Sequence, residues 1–300
     1  MSASQYARYG LKQSPFYKLS TKRKLFQLLY TDKKKLNELL SANDIYSRRT
    51  TENGRLIEEP KYRLKELQKR IEDLLKRVCI PDFVYAPAKK KSYISNAAAH
   101  REALEVRCLD ITAYFQSTSS KRVYWFFHKE MRCSPDVAGI LTRILTLEQR
   151  LPTGSPSSPI ISYFAHLDMW AKIYELASSY QCTLTVYMDD VTISGESVPK
   201  VAVAEIKGVL NRYGLRSKAS KEKHYRFAKA IEITGVIIKR DGRLCIPSRQ
   251  HRKVYVLRKR LTHEKNELSQ FTLLRKLEGH EMQRQQVESF DLDVVKPQPQ

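Results

Sequence analysis

Residues 183–194 read Thr183-Leu184-Thr185-Val186-Tyr187-Met188-Asp189-Asp190-Val191-Thr192-Ile193-Ser194. Both ends of this stretch have high β propensity, yet its middle, Met-Asp-Asp, is neither a favoured hairpin turn nor a sequence that a strand tolerates well. Two adjacent carboxylates repel each other unless a cation lies between them, and such breaks of local rules tend to mark function. Oxygen ligands of this kind suit Mg²⁺, which shares the rest of its shell with substrate phosphates.

Asp110 supplies a third carboxylate at the end of another strand-forming segment. Residues 106–111 are rich in β-forming side chains, and Asp110 would lie beside the hairpin if both belong to one antiparallel sheet. A site for two metal ions needs a third carboxylate, and Asp110 is the candidate for it. The alternatives are a solvated Asp-Asp turn and a helix-capping role for Asp110.

The charge of the chain points to a polyanionic partner. The 300 residues include 54 Lys and Arg against 32 Asp and Glu, a formal net charge of +22. Each phosphate that a cation neutralises releases counterions, so nucleic acid is the expected partner, and a merely basic surface is the alternative. The cations form three acid-poor clusters: Arg249, Arg252, Lys253, Arg258, Lys259 and Arg260; Lys89, Lys90 and Lys91; and Arg216, Lys218, Lys221, Lys223, Arg226 and Lys229.

Composition excludes several other classes of protein. Hydrophobic residues make up 42% of the chain, enough for a real core. No run approaches the roughly 20 apolar residues that cross a bilayer, so we expect a soluble, cytoplasmic protein. The five cysteines are widely spaced and never form a C-x-x-C pair, which argues against a disulfide framework and a zinc site.

The periodicity of apolar residues predicts helices and strands in alternation. Helices are expected within residues 16–78, interrupted by a hairpin at 46–60 around Asn53-Gly54. Further on, the patterns predict one long helix at 160–177, strands at 183–186 and 191–194, and a helix from Pro199 to about residue 213. Strands at 231–239 and 244–246 precede basic helix at 248–290.

Three motifs resemble those of reverse transcriptases. Tyr187-Met188-Asp189-Asp190 is similar to their polymerase motif, and Leu109-Asp110-Ile111-Thr112-Ala113-Tyr114-Phe115 resembles the motif with their other catalytic aspartate. Residues 151–159, Leu-Pro-Thr-Gly-Ser-Pro-Ser-Ser-Pro, resemble the loop that packs under template and nucleotide in bacterial members. All three occur in the family's order at plausible spacings.

Two further elements resemble the retron subfamily. Asn96-Ala97-Ala98-Ala99-His100 is similar to the N-A-x-x-H element of retron reverse transcriptases, and Ile233-Thr234-Gly235 is similar to their V-T-G element. The segment from Arg55 to Gln68 resembles the family's fingers, so the likeness covers about residues 45–280. Taken singly, Asn96 and His100 would more often be core or capping residues.

The resemblance implies an α+β fold, the right-hand polymerase fold, with fingers, a palm whose antiparallel sheet carries the catalytic aspartates, and a helical thumb. The expected boundaries are N-terminal helices and fingers at 1–105, the first palm strand at 106–117 and a fingers–palm connection at 118–150. The rest of the palm follows at 151–247, then the basic thumb at 248–290 and a flexible tail at 291–300.

The resemblance also implies roles at the active site. Asp110 and Asp189 would bind two Mg²⁺ ions, with Asp190 and the Ile111 carbonyl as further ligands. The residues expected at the nucleotide are Arg55 on the triphosphate, Phe115 as the gate against a 2′-OH, Thr153 and Gly154 in the loop, and Lys221 near the pyrophosphate. The alternatives are a surface charge for Arg55, a core aromatic for Phe115 and a phosphate contact for Lys221.

Contacts to RNA or primer are expected at Asn96, His100, Thr234, Gly235, Arg252, Lys253, Arg258, Lys259 and Arg260. The implied partners are a structured non-coding RNA of the msr–msd type, its branched msDNA product, dNTPs and an effector protein in anti-phage defence, without a membrane. Priming would use a 2′-OH of that RNA. About 50 residues follow the palm, too few for a ribonuclease H domain, so another protein is expected to remove the template.

The sequence departs from the family pattern at three positions. Thr153 replaces a longer polar residue, Ala113 replaces a polar or acidic residue, and Met188 replaces the commoner alanine. All three carboxylates are present, so we expect activity with altered contacts to nucleotide and template. The competing hypotheses are another bacterial reverse transcriptase, of group II intron or abortive-infection type, and a non-catalytic RNA-binding scaffold. The bulk of Phe115 disfavours an RNA-templated RNA polymerase.

Overall fold

The computed structural model describes residues 8–42, 44–52, 54–226 and 230–290. Three predicted features lie outside these residues: Asn53 of the predicted hairpin turn, Lys229 of the third basic cluster, and the tail at 291–300.

The N-terminal part of the chain alternates helices with a hairpin. Its elements are α1 (Lys22–Leu28), α2 (Lys33–Ser41), β1 (Tyr46–Thr50), β2 (Leu56–Pro60), α3 (Tyr62–Leu75), β3 (Val84–Ala86), α4 (Tyr93–Ala98) and β4 (Glu105–Asp110). The predicted hairpin at 46–60 is confirmed, because β1 and β2 pair antiparallel from Tyr46 opposite Pro60 to Thr50 opposite Leu56. Helix α3 buries the apolar stripe that predicted it.

The central and C-terminal elements follow in chain order. They are α5 (Tyr114–Ser117), α6 (Ser120–Trp125), α7 (Pro135–Leu145), α8 (Ser158–Ala165), α9 (Leu167–Ser179), β5 (Thr183–Tyr187), β6 (Asp190–Gly195), α10 (Lys200–Arg212), β7 (Lys223–Arg226), β8 (Ala230–Ile233), β9 (Val236–Lys239), β10 (Leu244–Cys245), α11 (Ser248–His263) and α12 (Glu267–Glu288). The single helix predicted at 160–177 is wrong. It is broken at His166, whose φ of −120° and ψ of 24° leave the helical region and whose buried ring lies 3.3 Å from the Thr118 hydroxyl.

A five-stranded sheet in the order β3-β5-β6-β4-β7 includes the strands that carry Asp110 and Asp190. Strands β3 and β5 are parallel, whereas all other neighbours in this sheet are antiparallel. One face packs on the large core, where Leu184, Val191 and Ile193 are buried. The opposite face meets α4 and the three-stranded sheet β10-β9-β8 through a second, smaller core that includes Val106.

The C-terminal helices α11 and α12 contribute little to the two cores, although Val287 of α12 belongs to the smaller one. Each has one buried residue, Val254 in α11 and Val287 in α12. None of the helices in the described part of the chain combines the length and apolar character that crossing a bilayer requires.

Candidate active site

The predicted acidic residues meet at one end of the five-stranded sheet. Strands β4 and β6 pair antiparallel with Asp110 directly opposite Asp190, and Tyr187 of β5 lies opposite Asp190 on its other side. Because side chains alternate between the faces of a sheet, residues directly opposite each other project from the same face. The expectation that Asp110 lies beside the hairpin is confirmed.

A two-residue turn places Asp189 between the strands. Met188 has a φ of +56°, a left-handed conformation that costs free energy in a residue with a side chain. The Asp189 carbonyl accepts a hydrogen bond from the Ile111 amide at 2.8 Å, which joins the tip of the hairpin to the end of β4. This bond holds the strained turn against the strand that carries Asp110.

Burial and nearby carboxylates raise the pKa of both Asp189 and Asp190. Burial, with added repulsion from Asp189 and Asp110, raises the pKa of Asp190 to about 6. Burial and the charge of Asp110 also raise the pKa of Asp189. A cation placed between these groups would relieve the repulsion and favour their ionised forms.

Two basic residues face this acidic cluster. The Lys221 ammonium donates a hydrogen bond to Asp110 Oδ2 at 2.7 Å, and this contact raises the pKa of Lys221. Arg55, exposed at the start of β2, is close enough that its charge lowers the pKa of Asp189 against the stronger effect of burial. The structure thus brings Arg55 and Lys221, predicted at the nucleotide, to the same end of the sheet as the aspartates.

A cavity of about 460 Å³ opens beside the carboxylates. Its wall includes Asp110 and Asp190 from the sheet, Lys221, and Thr234 and Gly235 from the turn between β8 and β9. Both turn residues have positive φ, +45° for Thr234 and +82° for Gly235. The cavity therefore lies between the acidic cluster and the Thr234-Gly235 turn, which was predicted to contact RNA or primer.

The acidic cluster has the donors that Mg²⁺ prefers but does not form a closed cage. Within residues 8–42, 44–52, 54–226 and 230–290, no three His, Cys, Asp or Glu side chains already have the arrangement of a metal site. Mg²⁺ is commonly held by one or two carboxylates together with substrate phosphates, so an incomplete set of ligands fits it.

Comparison with known protein families gives the same assignment as the motifs. The profile of the family described as reverse transcriptase (RNA-dependent DNA polymerase) matches residues 18–238. The chain belongs to the reverse transcriptase family. Its activity is therefore that of an RNA-directed DNA polymerase, and its fold is the right-hand polymerase fold. Enzymes of this family use divalent metal ions.

The relatives place this reverse transcriptase in the retron type. It is 30% identical over 260 residues to the Retron Se72 reverse transcriptase of Salmonella heidelberg, covering 81% of this chain and 69% of the relative. It is 29% identical over 151 residues to the Retron Ec86 reverse transcriptase of Escherichia coli, covering 50% and 47%, and 28% identical over 207 residues to the Retron Mx65 reverse transcriptase of Myxococcus xanthus, covering 61% and 48%. The match thus spans about two thirds of the first relative and about half of the other two.

In this reverse transcriptase, hydrogen bonds to the main chain of β2 hold the loop at 151–159 in place. The Thr153 hydroxyl donates to the Leu56 carbonyl at 2.7 Å and accepts from the Glu58 amide at 3.2 Å. The Gly154 amide donates to the Glu58 carbonyl at 3.0 Å. A Cβ atom on Gly154 would lie 2.7 Å from that carbonyl oxygen, so only glycine fits this approach. The predicted nucleotide loop and the Arg55 hairpin are therefore one unit.

Buried polar groups support this unit, and the sequence analysis did not identify them. Glu58 is fully buried and accepts two hydrogen bonds from Arg150, at 2.8 and 3.2 Å. Gln68, also fully buried, donates to the Ile144 carbonyl and accepts from the Ser155 hydroxyl. The only signal in the sequence was Glu58, a charged residue at an inward-facing position of the short strand β2. Periodicity alone does not distinguish such a residue from a surface charge.

Phe115 follows Asp110 by five residues and is half-buried against the large core. It follows Ala113, whose φ of +47° makes the sharp connection from the end of β4 into α5. Its ring packs 6.0 Å from the ring of Tyr114. The position is compatible with both readings of Phe115, a gate at the ribose and a core aromatic.

Asn96 and His100 are not on the surface. Each is only 1% exposed, so neither side chain offers a surface to nucleic acid in this structure. Asn96 donates to the Thr234 hydroxyl at 3.4 Å, and His100 lies between Ser194 and Thr185. The prediction that both contact RNA or primer directly stays untested, and their burial favours a different role.

The predicted RNA-binding residues of the C-terminal helices are all on α11. Arg252, Lys253, Arg258, Lys259 and Arg260 are exposed. Arg258 is also paired with Glu281 of α12 at 2.6 Å. A basic helical surface of this kind suits a phosphate backbone.

Proposed function

We propose that this retron-type reverse transcriptase makes DNA from dNTPs on an RNA template by two-metal phosphoryl transfer. The observation that carries the proposal is the register of β4 and β6, which sets Asp110 opposite Asp190 at a cavity, with Asp189 held in the adjoining turn. Phosphoryl transfer needs positioning and charge compensation more than covalent help from the protein. An acidic cluster facing two basic residues meets that need.

Two Mg²⁺ ions are the proposed cofactors. Asp110 and Asp189 would hold them, with Asp190 and the Ile111 carbonyl as further ligands. Bound there, the ions would lower the pKa of the primer hydroxyl and neutralise charge on the phosphates. The role of the chain is to keep the three carboxylates in register, which the β4–β6 pairing and the bond from the Ile111 amide to the Asp189 carbonyl do.

The nucleotide would lie between the acidic cluster and the β1–β2 hairpin. Arg55 would grip the triphosphate, since a guanidinium binds phosphate oxygens in a bidentate manner. Lys221, which neutralises Asp110 in the free protein, would turn to the leaving pyrophosphate. Thr153 and Gly154 would act through the loop, because their contacts hold the hairpin that carries Arg55.

The first prediction tests the acidic cluster. Asp189→Asn together with Asp190→Asn should abolish dNTP incorporation on a primed RNA template, because the metal ligands are lost. RNA binding, measured in the same preparation by filter retention, should remain, because the basic surfaces are unchanged. A matched control is Asp73→Asn with Asp136→Asn, which removes two exposed carboxylates, one on α3 and one on α7. Incorporation near the wild-type rate in the first variant would refute the assignment.

The second prediction tests the nucleotide gate. Phe115→Ala should raise the use of rNTPs relative to dNTPs, because removing the ring opens space for a 2′-OH. The measurement is the ratio of kcat/KM for matched rNTP and dNTP on one primed template. An unchanged ratio would return Phe115 to a purely structural role.

The retron type suggests how synthesis begins. We infer that the enzyme is cytoplasmic and primes from a 2′-OH of its own structured msr–msd type RNA, giving branched msDNA that acts with an effector protein in anti-phage defence. The names of the three relatives, all retron reverse transcriptases, support this over a group II intron or abortive-infection enzyme. The intact carboxylates argue against a non-catalytic scaffold.

Copurification tests the priming reaction. The enzyme should be expressed with its neighbouring non-coding transcript, and the purified product should be digested with ribonuclease. A 2′-5′ branch that resists ribonuclease and yields to a debranching enzyme is the expected result. A conventional 3′-5′ junction would refute self-priming and leave the polymerase assignment in place.

A further inference from the structure

Residues 93–100 form a short segment wedged between the two sheets. Helix α4 begins after Ser92, which caps it with a reciprocal pair of hydrogen bonds to Ser95. Ile94, Ala97 and Ala98 are buried in the smaller core, together with Val106 of the catalytic sheet and residues of β8, β9 and β10. The 93–100 segment therefore contacts both the sheet that carries the carboxylates and the sheet that carries the Thr234-Gly235 turn.

His100 ties together the two strands of the catalytic hairpin. Its Nδ1 lies 2.6 Å from the Ser194 hydroxyl on β6, and its Nε2 lies 2.8 Å from the Thr185 hydroxyl on β5. Burial lowers the pKa of His100 to about 3, so the ring is neutral at working pH. One ring nitrogen then donates and the other accepts, and each hydroxyl can do either, so both bonds are satisfied.

These contacts lie on the face of the sheet that carries the catalytic carboxylates. Thr185 is directly opposite Thr192, two residues from Asp190, and Ser194 is four residues from Asp190 on the same strand. Side chains two or four residues apart on a strand share a face, and a one-residue slip would turn every side chain to the other face. A bridge between Thr185 of β5 and Ser194 of β6 therefore helps to fix the β5–β6 register and, with it, the turn that carries Asp189.

Asn96 makes the corresponding contact with the other sheet. Its amide donates to the Thr234 hydroxyl at 3.4 Å, and that hydroxyl donates to the Tyr93 carbonyl at 2.9 Å. Thr234 has a φ of +45°, an unfavourable conformation for threonine that needs support from its surroundings. The turn that it forms with Gly235 lines the cavity beside Asp110 and Asp190.

We propose that the 93–100 segment is an internal positioning element, in which His100 holds the catalytic hairpin and Asn96 holds the Thr234-Gly235 turn at a fixed place relative to it. The proposal rests on the proposed polymerase function. It assigns both residues to the alignment of primer end and carboxylates, through other residues, and not to a contact with RNA. Their 1% exposure is the observation that separates these two roles.

The test for His100 compares synthesis in two assays. His100→Ala should lower kcat on the order of 10- to 100-fold, since a displacement of about 1 Å at reacting groups has an effect of that size. The loss should be equal for self-primed synthesis on the cognate RNA and for extension of an annealed DNA primer, with the Kd for RNA unchanged. Loss confined to self-priming, or weaker RNA binding at unchanged kcat, would overturn the proposal in favour of direct recognition.

Variants of the partners show whether His100 acts through the hairpin. Thr185→Val with Ser194→Ala removes both hydroxyls without opening a large cavity, and should lower kcat as His100→Ala does. Adding His100→Ala to this pair should have little further effect, because the same interaction is already lost. Additive losses would overturn the proposal. His100→Gln and His100→Asn each keep a side-chain amide that can hydrogen-bond with one of the two hydroxyls. Both variants should therefore keep more polymerase activity than His100→Ala, even if His100→Ala folds poorly.

A second buried histidine provides the matched control. His166 is fully buried, lies 3.3 Å from the Thr118 hydroxyl and packs against the rings of Tyr114 and Tyr213, which are all outside the catalytic hairpin. His166→Ala should lower the melting temperature as His100→Ala does and leave kcat of the folded protein near the wild-type value. An equal fall in kcat would show that loss of a buried ring, and not of positioning, explains the effect. The Asp189 and Asp190 variants test the polymerase function separately.

Asn96→Ala tests the other end of the segment. With the Thr234 hydroxyl held only through the Tyr93 carbonyl, the turn should shift and the KM for a primed template should rise several-fold, with the KM for dNTP little changed. An unchanged KM for the primed template would remove Asn96 and the turn from the proposal.

Discussion

At the level of single residues, ionised Asp190 lowers the free energy of unfolding of the protein. Its folded-state pKa of about 6 lies above the ordinary value of 3.8, so the folded protein binds this proton more tightly than the unfolded chain. The free energy of unfolding therefore falls as the pH rises from about 4 to about 6, and the loss persists above that range. In EDTA near neutral pH, Asp190→Asn should raise the free energy of unfolding by about 2 kcal/mol, measured by urea denaturation.

The pH dependence provides the control for this prediction. Near pH 4 the wild-type carboxyl is protonated, so the advantage of Asp190→Asn should vanish there. Asp73→Asn, which replaces an exposed carboxylate paired with Lys69, should give no comparable gain at either pH. A variant less stable than wild type at neutral pH would mean that burial and the neighbouring carboxylates do not destabilise ionised Asp190.

Among elements, the attachment of the β1–β2 hairpin to the loop at 151–159 depends on Gly154. Gly154→Ala would bring a Cβ atom within 2.7 Å of the Glu58 carbonyl oxygen, and backbone must move to relieve the clash. We expect a loss of about 1–3 kcal/mol in stability and a higher KM for dNTP, because Arg55 moves with the hairpin. Gly208→Ala is the control, since nothing lies within 4 Å of its Cβ position in α10. That variant should be as stable as wild type or slightly more stable.

Elements that depend on local pattern could be predicted from the sequence, and those that depend on distant partners could not. The β5–β6 hairpin was predicted because the strand alternation and the acidic turn lie within twelve neighbouring residues. Strand β7, Lys-His-Tyr-Arg, was missed because its four residues are polar and become a strand only by pairing with β4. The break at His166 was missed for the same reason, since its buried ring meets Thr118, far away in the sequence.

The residues of the candidate site also differ in whether local pattern or distant partners determine their position. The sequence identified Asp110, Asp189 and Asp190 as one cluster, and the pairing of β4 with β6 places them together. It could not reveal that Asn96 and His100 are buried, because that depends on how two sheets enclose α4. The roles of these five residues in catalysis and RNA binding stay predictions.

At the scale of the whole molecule, the basic surface of α11 governs the predicted response to salt. Replacing Arg258, Lys259 and Arg260 with Ala should reduce the slope of log K for RNA against log salt by about two to three units if all three reach phosphates. The pairing of Arg258 with Glu281 competes with such a contact and favours the lower value. The control replaces Lys33, Lys34 and Lys35 of α2 with Ala, which removes the same number of charges near the other end of the chain. Equal reductions in the two variants would mean that overall charge, and not α11, sets the slope.

The pairing of β4 with β6 also has a consequence for the timing of folding. Asp110 and Asp190 are 190 − 110 = 80 positions apart, so their strands meet only after a long loop has closed. Contacts between such distant residues form slowly, and during synthesis the first strand must wait until the second has left the ribosome. A growing chain that already contains Asp110 therefore has no acidic cluster. The enzyme acquires its chemistry late, when most of the protein that surrounds and restrains that chemistry has been made.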